Sequence, residues 1–385
     1  MTSHGRIYLN RLALSGFRNY EALSLTFDER HVCLYGENGA GKTNLIEAVS
    51  QLSPGRGLRS AGLAELARSA PDTMSASWGL GATMFDGDMD RAIRIDATFE
   101  GNGRGKRSIQ IDGAGSTTGA LSDLVRIIWL TPAMDRVFAG GAGDRRRFLD
   151  RQTLAHFPAH GQHAAAYEKA MRERNALLEQ GRADPVWLDG LEARLAEHGT
   201  AMANHRVITV SRLQAAVDSR PDGAFPKADL SLQGACEEAF VGGASPDEVM
   251  SICIDALSAS RRRDAAAGRT LFGVHRSDLQ VIHRPTGVQA NLCSTGQQKA
   301  LLIGLILSNA RALEAEAHLR NPLVLLDEAA AHLDPDRRAA LFDELSALKG
   351  QAWLTGTERG LFDQFGDRAQ FFEVRSGSVH PQQAD

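Results

Sequence analysis

Apolar and polar residues alternate through residues 7–14, with Ile7 and Leu9 in one phase and Leu12 and Leu14 in the next after a slip. A period of two marks a strand with one buried face. Leu23, Leu25 and Phe27 repeat the pattern beyond a turn at residues 15–20, so a small antiparallel sheet opens the chain. Residues 92–99 and 108–113 alternate again around a glycine-rich turn at 101–105, and Asp112-Gly113 supplies a hairpin signal. Three continuous apolar runs differ in kind: Val32-Cys33-Leu34-Tyr35, Val125-Arg126-Ile127-Ile128-Trp129-Leu130 and Leu323-Val324-Leu325-Leu326. Each predicts a buried strand.

Helical periodicity dominates residues 150–219, with Leu188, Leu191, Leu195, Met202, Val207 and Leu213 along one stripe of 187–217. The stripe keeps no seven-residue repeat, so it predicts an ordinary helical core and not a coiled coil. After the Pro221-Asp222-Gly223 turn, residues 229–232 predict a strand and 246–262 a helix running into Arg261-Arg262-Arg263. Helices are also expected from Ser294 to about residue 317 and over 336–348, with a disordered tail at 381–385. Gly140-Gly141-Ala142-Gly143, followed by Arg145-Arg146-Arg147, reads as a domain junction.

A length of 385 residues allows two or three domains with real cores. The formal charge of −4 excludes a uniformly basic nucleic-acid binder, so any DNA contact is a local patch or arises at a dimer interface. Cys33, Cys236, Cys253 and Cys293 form no C-x-x-C pair, which argues against a zinc site or a disulfide framework. The N-terminus lacks an apolar signal region, and the apolar run 301–307 is too short to span a bilayer. The expectation is a cytoplasmic chain in a reducing compartment, with no membrane partner.

The candidate chemistry begins where the first buried strand stops. Gly36-Glu37-Asn38-Gly39-Ala40-Gly41-Lys42-Thr43 has the G-x-x-x-x-G-K-T spacing of a phosphate loop, with helix-forming residues after it. The glycines let successive N–H groups point at a phosphate chain, and the following helix adds its positive end. Lys42 then reaches the β- and γ-phosphates of ATP, and Thr43 offers its hydroxyl to Mg²⁺. Arg56 and Arg59, in the next loop, read more simply as solvated charges than as phosphate contacts.

The run 323–326 ends in Asp327-Glu328, and in phosphate-loop enzymes such a strand is expected beside the loop's own. Asp327 would hold Mg²⁺ through its hydration shell, and Glu328 would orient or deprotonate the attacking water. Nearly the whole chain separates the two motifs, so both ends must fold into one head. Ser294-Thr295-Gly296-Gln297 opens a helix ahead of that strand, and Asp334 follows it. This order matches the ATP-binding-cassette plan, in which the Ser-Gly-Gln helix of one subunit caps the ATP of another. The expected architecture is an α/β ATP-binding-cassette (P-loop) head with an N-terminal antiparallel β subdomain and an inserted, mostly helical second lobe. Its parts would be residues 1–149 and 268–385 for the head and 150–267 for the lobe.

With these motifs, Gly273-Val274-His275-Arg276-Ser277-Asp278-Leu279 and Leu354-Thr355-Gly356-Thr357-Glu358 complete a full-length resemblance to the RecF family of bacterial DNA replication and repair proteins, cassette ATPases related to SMC heads. The resemblance implies weak DNA-dependent ATP hydrolysis and an ATP-dependent homodimer on gapped, single-stranded or duplex DNA. It also implies work with RecO and RecR to place RecA at gaps, in support of the SOS response. Thr131-Pro132-Ala133-Met134-Asp135 departs from the family's Pro-Glu-Asp, so the sequence places no glutamine switch. No histidine follows the Asp327 strand at the usual switch position, and His275 reads as structural rather than as a γ-phosphate sensor. Candidate DNA contacts are Arg145, Arg146, Arg147, Arg261, Arg262 and Arg263, although a charge run is usually a solvated face. Two rivals stay open: a clamp in which ATP is structural glue and hydrolysis only recycles it, and a transporter-type cassette.

Overall fold

The computed structural model describes residues 5–70, 73–74, 76–99, 105–180, 184–316 and 321–382. Contacts divide the chain into one unit of Met1–Met134, Asp222–Phe225 and Ile306–Asp385, and another of Asp135–Pro221 and Pro226–Leu305.

Alternating segments of the first unit make a six-stranded sheet in the order Tyr20–Thr26, Tyr8–Phe17, Ser77–Phe85, Asp90–Phe99, Gly105–Ile111, Ala114–Ser116. All its neighbours are antiparallel. The slip after Leu9 is a bulge, because the register against Ser77–Phe85 shifts between Leu9 and Arg11. One extra residue restores the phase, so Leu9, Leu12 and Leu14 all reach the core. The first turn is tighter than the expected 15–20: the strand runs on to Phe17, and only Arg18 and Asn19 separate it from Tyr20. Asp112-Gly113 turns the chain into Ala114–Ser116 as expected. Of the glycine-rich turn at 101–105, residues 101–104 lie outside the described residues.

The three apolar runs, joined by three strands that the pattern did not mark, make a second six-stranded sheet, in the order Arg126–Leu130, Pro322–Leu326, Ala352–Gly356, His31–Tyr35, Ala369–Arg375, Ser378–Gln382. Its neighbours are parallel except the last pair. The strand that ends before Asp327 is therefore not beside the phosphate-loop strand, as expected from sequence. Ala352–Gly356 lies between them. A parallel neighbour needs a crossover, and the helix Pro335–Ser346 provides it. Pro381 and Gln382 belong to the edge strand rather than to a tail, and residues 383–385 lie outside the described residues.

Four longer helices, Ala142–His156, His160–Glu179, Pro185–Ser219 and Pro246–Ala267, dominate the second unit, with a sheet of Ala228–Gln233, Asp278–His283 and Val288–Gln289. Leu188, Leu191, Leu195, Met202 and Leu213 are buried as the stripe predicts, and Val207 only half so. The unit boundaries fall at 134/135 and 305/306, not at 149/150 and 267/268. Gly141 donates its N–H to Asp144, which starts a helix at Ala142 and puts the arginine triplet inside it. Asp278–His283 pairs with Ala228–Gln233, which draws residues 268–305 into the helical unit. The helix predicted over 246–262 continues through Arg261-Arg262-Arg263 to Ala267, where Gly268 takes the left-handed cap.

One buried histidine makes the parallel sheet acid-sensitive. His31 accepts the N–H of Ala352 at 3.0 Å, and burial with the charges of Arg6 and Arg368 pushes its pKa down to about 3. Unfolded, it titrates near ~6.5. Below that pH the unfolded chain takes up a proton that the fold refuses. This contribution to stability is therefore intact above ~6.5 and lost as pH falls toward the folded value, by about 2 kcal/mol at pH ~5. Urea unfolding at both pH values should show His31→Gln losing less stability on acidification than the parent; equal losses would exclude His31 as the cause.

Candidate functional site

The phosphate-loop motif stands at the end of the strand His31–Tyr35 and before the helix Lys42–Ser50. Gly36 has φ 148°, and a Cβ there would collide with the carbonyl oxygen of Val374. Gly41, at φ 119°, leaves room for the Asn19 amide and the Tyr20 hydroxyl. These two side chains buttress the loop: Asn19 Nδ2 donates to Ala40 O at 3.2 Å and Tyr20 OH to Gly41 O at 3.1 Å. Arg18 in the same turn grips Glu47 of the helix through two bonds of 2.8 and 2.9 Å. Glu47 has no exposed side-chain surface, so this pair orients the helix behind the loop.

Lys42 is 4% exposed, and its Nζ donates to Gly36 O at 2.6 Å and Glu37 O at 2.8 Å. Burial pushes its pKa down, while the charges of Glu328 and Asp327 pull it up. Glu37, Asn38 and Gly39 are exposed at the lip, and Ala40 is buried beneath them. Thr43 Oγ1 donates to Asp327 Oδ1 at 2.9 Å, which joins positions 284 residues apart. Thr355 Oγ1 donates to the same oxygen at 2.8 Å. Burial pushes the Asp327 carboxyl up, and the two hydroxyl donors oppose that shift.

Glu328 follows at φ 51°, a conformation that costs a side-chain-bearing residue about 1 kcal/mol or more. Its N–H donates to Thr355 Oγ1 at 2.9 Å. One threonine thus binds the Asp327 carboxylate and the Glu328 backbone. No group of three His, Cys, Asp or Glu side chains converges as a metal cage among the described residues. A hydroxyl and a single carboxylate instead suit Mg²⁺, which keeps waters and phosphate oxygens as its other ligands.

Ser294, Thr295 and Gly296 are exposed where the helix Thr295–Ala315 begins. Ser294 Oγ accepts the Gln297 N–H at 3.3 Å, and the Gln297 side chain accepts the Ser294 N–H at 3.0 Å. This reciprocal cap presents the turn to solvent. Asp334 caps Pro335–Ser346, accepting the Arg337 N–H at 2.9 Å.

Arginines singled out from sequence divide into two groups. Arg145 binds Asp278 through two bonds of 2.8 and 2.7 Å, and Arg146 donates to Ser277 O at 2.6 Å. Arg261 is held by Glu192 and Asp189. Arg147, beside Asp144, is exposed, as are Arg262 and Arg263. Arg56 and Arg59 are exposed, the latter donating to Asn44. His275 uses both ring nitrogens within the helical unit, 2.8 Å from Tyr167 OH and 3.0 Å from Thr270 O. Thr355, Asn19 and Tyr20 acquire their roles only from strand order and hairpin placement. Their sequence signal was no more than membership of longer motifs.

The family model described as the RecF/RecN/SMC N terminal domain matches residues 8–378. The chain is 48% identical over 378 residues to the DNA replication and repair protein RecF of Rhizobium meliloti (strain 1021), covering 97% of this chain and 99% of that one. It is 49% identical over 375 residues to the protein of that description from Brucella suis biovar 1 (strain 1330), covering 97% and 96%. A solved structure of the recombination mediator protein RecF with ATP, in the RecFOR pathway, superposes with a TM-score of 0.82 at 23% identity and 99% coverage of both chains. An Smc head domain from Pyrococcus furiosus with an extended coiled coil, bound to the C-terminal domain of ScpA, superposes at 0.54 with 15% identity and coverage of 98% and 96%. Both likenesses establish the ATP-binding-cassette head fold.

Thr355→Val removes a donor from a buried carboxylate and the acceptor of the Glu328 N–H. It should lower the unfolding free energy by about 1–3 kcal/mol. Thr355→Ser should recover most of that loss in chemical denaturation, and a serine variant as unstable as the valine one would refute the hydroxyl's role.

Proposed function

The chain belongs to the RecF/RecN/SMC N-terminal domain family, and from that premise we propose an ATP-binding DNA replication and repair protein that dimerises around ATP on DNA. The observation that carries the reading is the 2.9 Å contact of Thr43 with Asp327, which makes one site of two chain-distant motifs. In this reading the N–H groups of Gly36, Glu37, Asn38, Gly39, Ala40, Gly41 and Lys42 cradle the phosphates. Lys42 exchanges the carbonyls of Gly36 and Glu37 for β- and γ-phosphate oxygens. Thr43 and Asp327 would hold Mg²⁺, which when bound supplies charge neutralisation to the phosphates. Glu328, its backbone held by Thr355, orients the attacking water and takes its proton.

Half of such a centre must come from elsewhere. Ser294, Thr295, Gly296 and Gln297 offer an exposed helix N-terminus suited to the γ-phosphate of a second copy, with Asp334 at the same interface. Weak DNA-dependent hydrolysis then dissolves the dimer. Work with RecO and RecR to place RecA at gaps, and support of the SOS response, come with the family. Among the described residues no helix is long and apolar enough to cross a membrane. The likeness to DNA replication and repair proteins over 97% of the chain favours the DNA reading over a transporter-type cassette.

Lys42→Met should abolish ATP binding in equilibrium dialysis. Glu328→Gln should bind ATP normally, hydrolyse it at least ~100-fold more slowly and accumulate as a dimer in light scattering. A monomeric Glu328→Gln protein at saturating ATP would overturn the shared site. Equal DNA occupancy with ATP and with a non-hydrolysable analogue would favour the clamp in which ATP is glue and hydrolysis only recycles it.

For DNA, the exposed Arg147, Arg262 and Arg263 carry the proposal, since Arg145, Arg146 and Arg261 are less exposed and hold Asp278, the Ser277 carbonyl and Glu192. Replacing the three with alanine should weaken binding uniformly across sequences and flatten its salt dependence, by a slope of roughly one per lost phosphate contact. An unchanged slope in fluorescence anisotropy titrations would remove these residues from the interface.

A further inference from the structure

Four scattered cysteines give no pairing signal in the sequence, yet folding sets two of them side by side. Cys236 lies on the helix Ala235–Val241 and Cys253 on the helix Pro246–Ala267, with their sulfurs 2.9 Å apart. The pair is buried, 1% and 3% exposed, in the apolar cluster that includes Tyr167, Leu195, Met202, Val249 and Leu257. Both are free thiols. A disulfide needs sulfurs about 2.05 Å apart, so closing the gap requires less than ~1 Å of side-chain movement.

We propose that Cys236 and Cys253 form a site of reversible oxidation, at which a small hydroperoxide converts the dithiol to a disulfide joining the two helices. A single S–H hydrogen bond joins the two sulfurs, and either thiol can donate it. The sulfur that accepts it is the attacking one. It takes one peroxide oxygen as the O–O bond breaks, and the other oxygen leaves with that thiol's proton as water or an alcohol. The second sulfur then displaces hydroxide from the sulfenic acid so formed, and its proton completes a water. The two thiols lose two electrons, and the peroxide gains them.

The consequence is local and mechanical. Next to Cys236, Glu237 accepts from Arg206 at 3.0 Å and from Ser277 at 2.7 Å. The short helix that positions Ser277 would be tied covalently to the helix Pro246–Ala267, across a separation of 17 residues.

The test treats the native full-length chain with hydrogen peroxide, unfolds it in alkylating denaturant and counts thiols. The count should fall from four to two with one Cys236–Cys253 cross-linked peptide, reversed by dithiothreitol. The melting temperature should rise by roughly 5 °C on oxidation. Diamide, which needs no sulfenic acid, serves as a second oxidant and should yield the same peptide. Failure of both oxidants to give that peptide overturns the proposal. So does sulfinic acid at either sulfur in its place, or a cross-link from either to Cys33 or Cys293.

Discussion

A buried carboxylate that must be hydrogen-bonded organises the head. Asp327 is withdrawn from water, and an acidic oxygen in that position costs several kcal/mol unless donors meet it. Its Oδ1 finds two, the hydroxyls of Thr43 and Thr355, each from a different part of the chain. Satisfying that atom requires three features to meet: the end of the strand Pro322–Leu326, the end of Ala352–Gly356 and the start of the helix Lys42–Ser50. The strand order follows from the same demand, because the threonine-bearing strand must lie between the phosphate loop and the acid.

Strain at Glu328 belongs to this arrangement. Its positive φ turns the chain sharply after the strand and is sustained by the Thr355 hydroxyl, which accepts the Glu328 N–H while donating to Asp327. A site assembled this way is braced by contacts within the chain itself. The loop is likewise braced from outside its own motif by Asn19, Tyr20 and the Arg18–Glu47 pair.

Buried charge also organises the helical unit, with the sign reversed. Arg174 and Arg206 are almost fully enclosed; Glu192, Asp264 and Thr270 meet the first, and Asp150, Glu237 and the Val274 carbonyl the second. A guanidinium with a fixed fork of donors accepts only one arrangement of acceptors, so these residues align helices that apolar packing alone leaves free to slide. Arg261 joins the first of these networks through Glu192, and Arg145 is paired to Asp278. An arginine-rich sequence is thus partly an interior feature here.

Much of the molecule was readable before folding was considered. Period-two alternation marked the strands around residues 7–14, 23–27, 92–99 and 108–113 but not Ser77–Phe85, and the slip that the structure shows to be a bulge after Leu9 is visible in one dimension. Continuous apolar runs marked buried strands, and the spacing of Gly36, Gly41, Lys42 and Thr43 marked an anion cradle, since local backbone geometry is dictated by neighbouring residues. Three things were decided only in three dimensions: the insertion of Ala352–Gly356 into the sheet, the fate of individual arginines, and the approach of Cys236 to Cys253. Each depends on which distant atoms become neighbours. Hydrophobic pattern says that a residue is buried but not against what, and a charge or a thiol takes its meaning from the partner it meets.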